Sequence, residues 1–266
     1  MSTTMGVRRS RRTPVVLLLA IAGAWGLALV AQTTGKAVLL NHGTLIEGTA
    51  PLFRPPPVWV ALPLFLVAWQ VMVAAMMLPS SLPMIRLFRA TSASQPRPHA
   101  VQAAFLGGYL VVWTGFGAVA FLQDIGIHRV VDRAPWVAAH PWAIAGLALL
   151  LAGSFQFSSL KDKCLQECRH PAAFLLQHYR RGTGEGFRLG FRHGLFCLGC
   201  CWALMLVMFA AGVAQLWWMA ALGALMFYEK AGRHGDRVTP IAGVSLLALA
   251  AVVLVHPGWL PNVFHA

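Results

Sequence analysis

Long apolar stretches separated by short polar segments dominate this chain. Seven of them approach the roughly 20 residues that an α-helix needs to cross a bilayer. They cover residues 14–31, 58–78, 101–123, 139–158, 191–212, 215–230 and 238–256. This pattern predicts an all-α fold, a polytopic transmembrane helical bundle of about seven spans. We expect residues 1–266 to form a single integral membrane domain.

Composition supports the same fold class. Hydrophobic residues make up 58% of the chain and charged residues only 11%, whereas a soluble domain carries about a quarter charged residues. The lipid bilayer is therefore the first expected partner. The net charge of +13 does not indicate nucleic acid as a partner, because the basic residues lie between the apolar stretches.

The basic residues also predict the orientation of the spans. With the N-terminus placed in the cytoplasm, 17 of the 21 lysines and arginines fall in inside segments. Such a bias favours an N-inside, C-outside topology in a bacterial inner membrane. The first apolar stretch is long for a signal peptide, and no clear cleavage site follows it, so we interpret it as the first span.

The fifth stretch carries imidazole, thiol and thioether groups in a helical pattern. They recur every three or four residues, so in a helix they share one face. Copper(I) prefers such soft ligands, and zinc accepts imidazole and thiolate. A single buried cysteine or methionine is ordinary packing material, but Cys-x-x-Cys-Cys with a histidine one turn before it favours metal binding. The candidate ligands are His193, Cys197, Cys200, Cys201, Met205 and Met208.

The length of this stripe favours a relay over a closed site. Fifteen residues of helix extend about 22 Å, which is most of a bilayer core of about 30 Å. A structural zinc site would instead hold four fixed ligands around one ion. We therefore interpret the stripe as a ladder of exchangeable ligands.

Two further motifs carry soft ligands. In the 159–190 loop, which we expect to be partly helical, Cys164 and Cys168 are four residues apart and would share a helix face. At the end of the second span, Met76 and Met77 precede a pair of prolines. The prolines predict a broken helix that lines a cavity. Packing alone would also explain these methionines.

The predicted topology places these motifs near one face of the membrane. The end of span two, the end of span four and the start of span five all lie on the cytoplasmic side. Span six returns to that side and ends in Glu229-Lys230. An acid–base pair at this position is most simply a solvated helix end.

The motifs resemble those of a bacterial family of predicted metal-binding integral membrane proteins. That family is related to the membrane copper chaperones associated with tyrosinase-type polyphenol oxidases. The resemblance implies a metal-binding helical bundle, with copper delivery as the role of some members. It covers about residues 70–232 and rests on Ala75-Met76-Met77-Leu78-Pro79-Ser80, Lys161-Asp162-x-Cys164-x3-Cys168-Arg169, Gly190-x2-His193-Gly194-x2-Cys197-x2-Cys200-Cys201-Trp202 and Trp218-Met219 to Glu229-Lys230.

The leading hypothesis is a non-enzymatic protein that handles copper(I), or alternatively zinc. It would deliver the ion to an exported cuproenzyme or a soluble metal-binding partner, or transport it across the membrane. An enzymatic alternative is a thiol–disulfide oxidoreductase that uses Cys197 and Cys200 as its redox pair. The third alternative is a membrane scaffold whose cysteines only pack.

Overall fold

A computed structural model describes residues 15–33, 57–211 and 216–256, and in these ranges all regular structure is α-helical. The all-α prediction is therefore confirmed for the described residues. In chain order the helices are α1 (Val15–Thr33), α2 (Val58–Ser92), α3 (Pro98–Arg133), α4 (Pro135–Ala139), α5 (Pro141–Phe155), α6 (Ser159–Arg169), α7 (Pro171–His178), α8 (Thr183–Ala211), α9 (Leu216–Ala231) and α10 (Gly235–Val255).

Five of the described helices, α1, α2, α3, α8 and α10, are long and apolar enough to cross a membrane. Helices α5 and α6 would supply a sixth span if the pair is taken together, although they meet at a bend of 65°. Helix α9 matches the stretch predicted as span six but has only 16 residues. Seven spans and the N-inside orientation stay predictions.

Several helices continue well beyond the apolar stretches that predicted them. Helix α2 runs to Ser92 instead of residue 78, and α8 begins at Thr183 instead of residue 191. Hydrophobicity marks the part of a helix that lies in lipid, whereas polar residues extend the same helix into the interface. The loop predicted over 159–190 accordingly contains α6, α7 and the first turns of α8.

The predicted break in the second span is wrong, because α2 continues through Pro79 and Pro83. Proline lacks the N–H that would bond the carbonyl four residues earlier. For Pro79 that carbonyl belongs to Ala75, and it accepts a 3.1 Å hydrogen bond from the Trp25 indole of α1. A side chain from a neighbouring helix thus replaces the lost bond and keeps α2 continuous.

Glycines bring α3 and α8 into close contact. Gly186, Gly190 and Gly194 recur every four residues along α8 and face α3. A Cβ atom on Gly190 would overlap the backbone carbonyl of Phe105, and one on Gly108 would overlap the backbone of α8. Small residues at this spacing allow membrane helices to approach closely. The contact sets the start of the ligand stripe against α3.

The turn between α5 and α6 directs α6 back toward the bundle. The Ser158 hydroxyl caps α6 by accepting a hydrogen bond from the Lys161 backbone N–H at 3.1 Å. Serine is a favoured N-cap because it satisfies a free N–H of the first turn. Helix α6 then packs against α8 and α9, which places Cys164 and Cys168 beside the ligand stripe.

Candidate metal centre

The predicted stripe on α8 is a single buried face. Every one of its six side chains is at most 3% exposed. All six lie within one uninterrupted helix, as the spacing predicted. The soft ligands therefore face other helices of the protein. They are His193, Cys197, Cys200, Cys201, Met205 and Met208.

Cys197 belongs to a group of sulfur-bearing side chains, the sulfur cluster, which also includes Cys168, Cys200, Cys201 and Met77. Its Sγ atom is 3.1 Å from Lys230 Nζ on α9 and 3.3 Å from Tyr109 Oη on α3. The thiols of Cys200 and Cys201 both donate to its backbone carbonyl, at 3.1 Å and 2.8 Å. Three helices thus contribute groups to the surroundings of one sulfur atom.

Helix α6 adds the two cysteines predicted from the 161–169 motif. The thiol of Cys168 lies near that of Cys200, close enough for the two groups to interact electrostatically. Cys164 lies against Gly199, where a Cβ atom would stand only 2.6 Å from its Sγ. The absence of a side chain at Gly199 therefore makes room for Cys164 between α6 and α8.

The methionines divide into two groups. Met77 of α2 contacts the cluster directly, with its Sδ atom 3.9 Å from Cys201 Sγ. Met76 is equally buried but lies toward Gly223 of α9. Met205 and Met208 are buried one and two turns further along α8, on the side of the cluster away from His193. Together these positions extend the sulfur atoms along the bundle axis.

His193 lies in an aromatic pocket. Its ring stacks on Phe105 and Tyr109, with centroids 6.0 Å and 5.8 Å away, and meets Phe174 edge-on. Within the part of the chain that the structure describes, its Nε2 atom is buried and has no hydrogen-bond partner. Such an atom carries a desolvation penalty that a ligand would remove.

The interpretation of Glu229 and Lys230 as a solvated helix end is wrong. Glu229 pairs with Lys161 of α6 at 2.8 Å, and the two side chains are only 2% and 1% exposed. Arg169 Nε donates a hydrogen bond to the backbone carbonyl of Glu229 at 2.7 Å, and the Arg169 guanidinium forms an ion pair with Asp236. These contacts hold α6 and its cysteines against α9.

Two residues that contact Cys197 were not among the predicted site residues. Lys230 is 6% exposed and lies between Cys197 and Ser80, whose Oγ is 3.4 Å away. Tyr109 is bonded to Ser81 as well as to Cys197. A signal was present, since a lysine or a tyrosine hydroxyl within an apolar segment needs a polar partner.

The side chains are not in the positions of a coordination shell. Among the residues that the structure describes, no group of three or more His, Cys, Asp or Glu side chains is arranged to hold a metal ion. Two thiols of the cluster instead donate to the Cys197 carbonyl, and the Lys230 ammonium lies beside the Cys197 sulfur. Rotation of the side chains would be required before these sulfur atoms could share an ion.

Comparison with known families identifies the class of protein. A family model described as PpoB2, copper chaperone, matches residues 66–253, which is most of the chain and contains the whole sulfur cluster. The chain belongs to the PpoB2 copper chaperone family. No curated protein and no solved structure matches the chain significantly.

Membership in the PpoB2 family confirms the resemblance found in the motifs at 70–232. It indicates that the protein handles copper and supports a non-catalytic role. The matched residues begin within α2 and end within α10. They therefore include the helices that contribute sulfur atoms to the cluster, namely α2, α6 and α8.

Proposed function

We propose that this protein binds copper(I) in the sulfur cluster formed by Cys168, Cys197, Cys200 and Cys201, with Met77 as a thioether ligand. The observation that carries the proposal is the meeting of four thiols and one thioether from three helices. In a protein of a copper chaperone family, such a set matches the preference of copper(I) for soft ligands.

The absence of a preformed coordination shell among the described residues favours copper(I) over structural zinc. Zinc in a structural site requires four ligands in tetrahedral positions, whereas copper(I) needs fewer and accepts thioethers. Rotation of the Cys200 or Cys201 thiol away from the Cys197 carbonyl would free its sulfur atom to bind the ion. A site that the ion itself completes is also suited to later release.

Delivery to another protein is the role that we infer for the bound ion. The sulfur ligands continue from the cluster to Met205 and Met208 on the same buried face. Cys164, Met76 and His193 flank the cluster and provide further soft groups for transfer. The acceptor would be an exported cuproenzyme or a soluble metal-binding partner, and the site would lie in a bacterial inner membrane.

Copper(I) titration of the purified, reduced protein in an uncharged detergent tests the proposal. We expect about one copper per chain in competition with a copper(I) chelator. The variant with Cys197, Cys200 and Cys201 all changed to alanine should lose it. Val207→Ala is the matched control, since Val207 is a buried apolar residue of the same helix. Its copper binding should be unchanged.

Three results would contradict this function. Unchanged copper binding in the triple variant would remove the cluster as the site. A protein that stays metal-free during titration but forms a Cys197–Cys200 disulfide with a redox partner would support the oxidoreductase alternative. Full activity of the triple variant in copper-dependent maturation of an enzyme would support the scaffold.

A further inference from the structure

A cavity of about 380 Å³ opens beside the sulfur cluster. It lies where the end of α6, the middle of α2 and the turn between α9 and α10 meet, and its lining includes Cys168, Arg169, Lys230, Arg233 and Asp236. Its volume is within the range of small-molecule sites. We propose that this cavity receives copper(I) as an anionic thiolate complex, an inference that rests on the proposed function.

The cavity leads directly to the sulfur cluster. Cys168 lines the cavity and belongs to the cluster, and Lys230 lines the cavity with its Nζ atom 3.1 Å from Cys197 Sγ. Cys168 is partly exposed, whereas the three α8 cysteines are fully buried. A ligand that enters the cavity would therefore reach the Cys168 sulfur before any other sulfur of the cluster.

The charge of the lining selects the form in which copper arrives. Three cationic side chains, Lys230, Arg169 and Arg233, face one carboxylate, Asp236, which is paired with Arg169. The net charge of the lining is therefore positive, and a positively charged cleft repels free cations and attracts anions. A bare copper(I) ion would be repelled. Copper(I) bound by thiolates carrying additional carboxylates is negatively charged and would be attracted.

Ligand exchange would then load the cluster. One bond between copper and a donor sulfur breaks, and one bond between copper and Cys168 Sγ forms. The proton of the Cys168 thiol passes to the departing donor thiolate, and copper remains copper(I). Each later exchange with Cys200 and Cys197 follows the same balance. The predicted topology places the cavity in the cytoplasm, where thiols are kept reduced.

Loading of the full-length protein from two donors tests this inference. The copper(I)–glutathione complex is the anionic probe, and copper(I) in dilute acetonitrile is the cationic probe. Copper per chain is followed in time by elemental analysis after rapid removal of the donor. Arg233→Gln should slow loading from glutathione about three- to tenfold. It should leave the final stoichiometry unchanged and should accelerate loading from acetonitrile, because that donor carries copper(I) as a cation.

Two sets of variants make the charge argument specific. Arg237→Gln removes the same charge four residues away, outside the cavity lining, and should have little effect. At Gln166, an exposed residue of the lining, Gln166→Glu should slow loading from glutathione and Gln166→Lys should accelerate it. Raising the ionic strength should reduce all these differences.

The outcomes separate this inference from the function on which it rests. Equal effects of Arg233→Gln and Arg237→Gln, or rates that do not follow the charge at Gln166, would overturn the cavity as the entry site while leaving copper binding intact. A protein that takes copper from neither donor would overturn both proposals.

Discussion

The buried ion pair between Lys161 and Glu229 is expected to hold α6 in place. The change to test is Lys161→Met, which keeps most of the side-chain volume but removes the charge. Glu229 would then lose its 2.8 Å partner while only 2% exposed. Its other carboxylate oxygen, Oε1, already has no hydrogen-bond partner among the described residues. The variant thus leaves a buried carboxylate whose other cationic neighbours have partners of their own: Lys230 contacts Cys197 and Ser80, and Arg169 is paired with Asp236.

The expected cost is about 3–5 kcal/mol, the range for breaking a buried pair by removing one partner. Replacing both partners with apolar residues, Lys161→Met with Glu229→Leu, should cost much less, since no buried charge remains unpaired. A double-mutant cycle should therefore give a coupling of about 3 kcal/mol.

Reversible unfolding in mixed detergent micelles provides the free energies of the four proteins. Lys163→Met is the matched control, because Lys163 is an exposed lysine of the same helix, and it should change stability by less than about 0.5 kcal/mol. A coupling below about 1 kcal/mol would refute the reasoning, because an ion pair of that strength behaves as a surface pair.

Three further predictions concern the cluster and its surroundings. Met77→Leu should lower copper(I) affinity about tenfold, as measured by competition with a chelator, and should leave zinc affinity unchanged. Its cost in the free energy of unfolding should be under about 1.5 kcal/mol. His193→Phe should preserve or raise stability, because the aromatic pocket accepts the ring and a buried nitrogen without a partner is removed, and copper transfer rates would report any loss of a ligand. Trp25→Phe should lower the free energy of unfolding by about 1 kcal/mol. The loss should be clearly smaller in a Pro79→Ala background, where the restored N–H can donate to the Ala75 carbonyl. Equal losses in both backgrounds would contradict the role of the indole.

The sequence predicted the helices and the α8 face because both depend on local spacing. Every ligand of the 193–208 stripe is buried, as a three- or four-residue repeat in one helix requires. The shared face of Cys164 and Cys168 rests on the same local pattern. Family membership was also accessible, since it depends on motifs that can be read along the chain.

Other features depend on partners far away in the sequence, so they could not be predicted. Helix α2 stays continuous because Trp25, 50 residues from Ala75, replaces a hydrogen bond. The Glu229 carboxylate can be buried because it pairs with Lys161, which is 68 residues away in the sequence. In isolation each segment has the pattern of a broken helix or a solvated end. Only the packing of α1 against α2 and of α6 against α9 changes that outcome.

The position of Lys230 connects the stability of the site with its proposed use. Its ammonium lies 3.1 Å from the Cys197 sulfur in a buried environment, where opposite charges attract strongly and like charges repel strongly. Before copper arrives, this contact would stabilise negative charge on the sulfur. A copper(I) ion bound by two thiolates carries a net negative charge, so the Lys230 ammonium would attract the bound complex as well as an anionic donor in the cavity that it also lines. On the proposed function, a buried lysine at this position would stabilise negative charge in the cluster both before and after copper(I) binds.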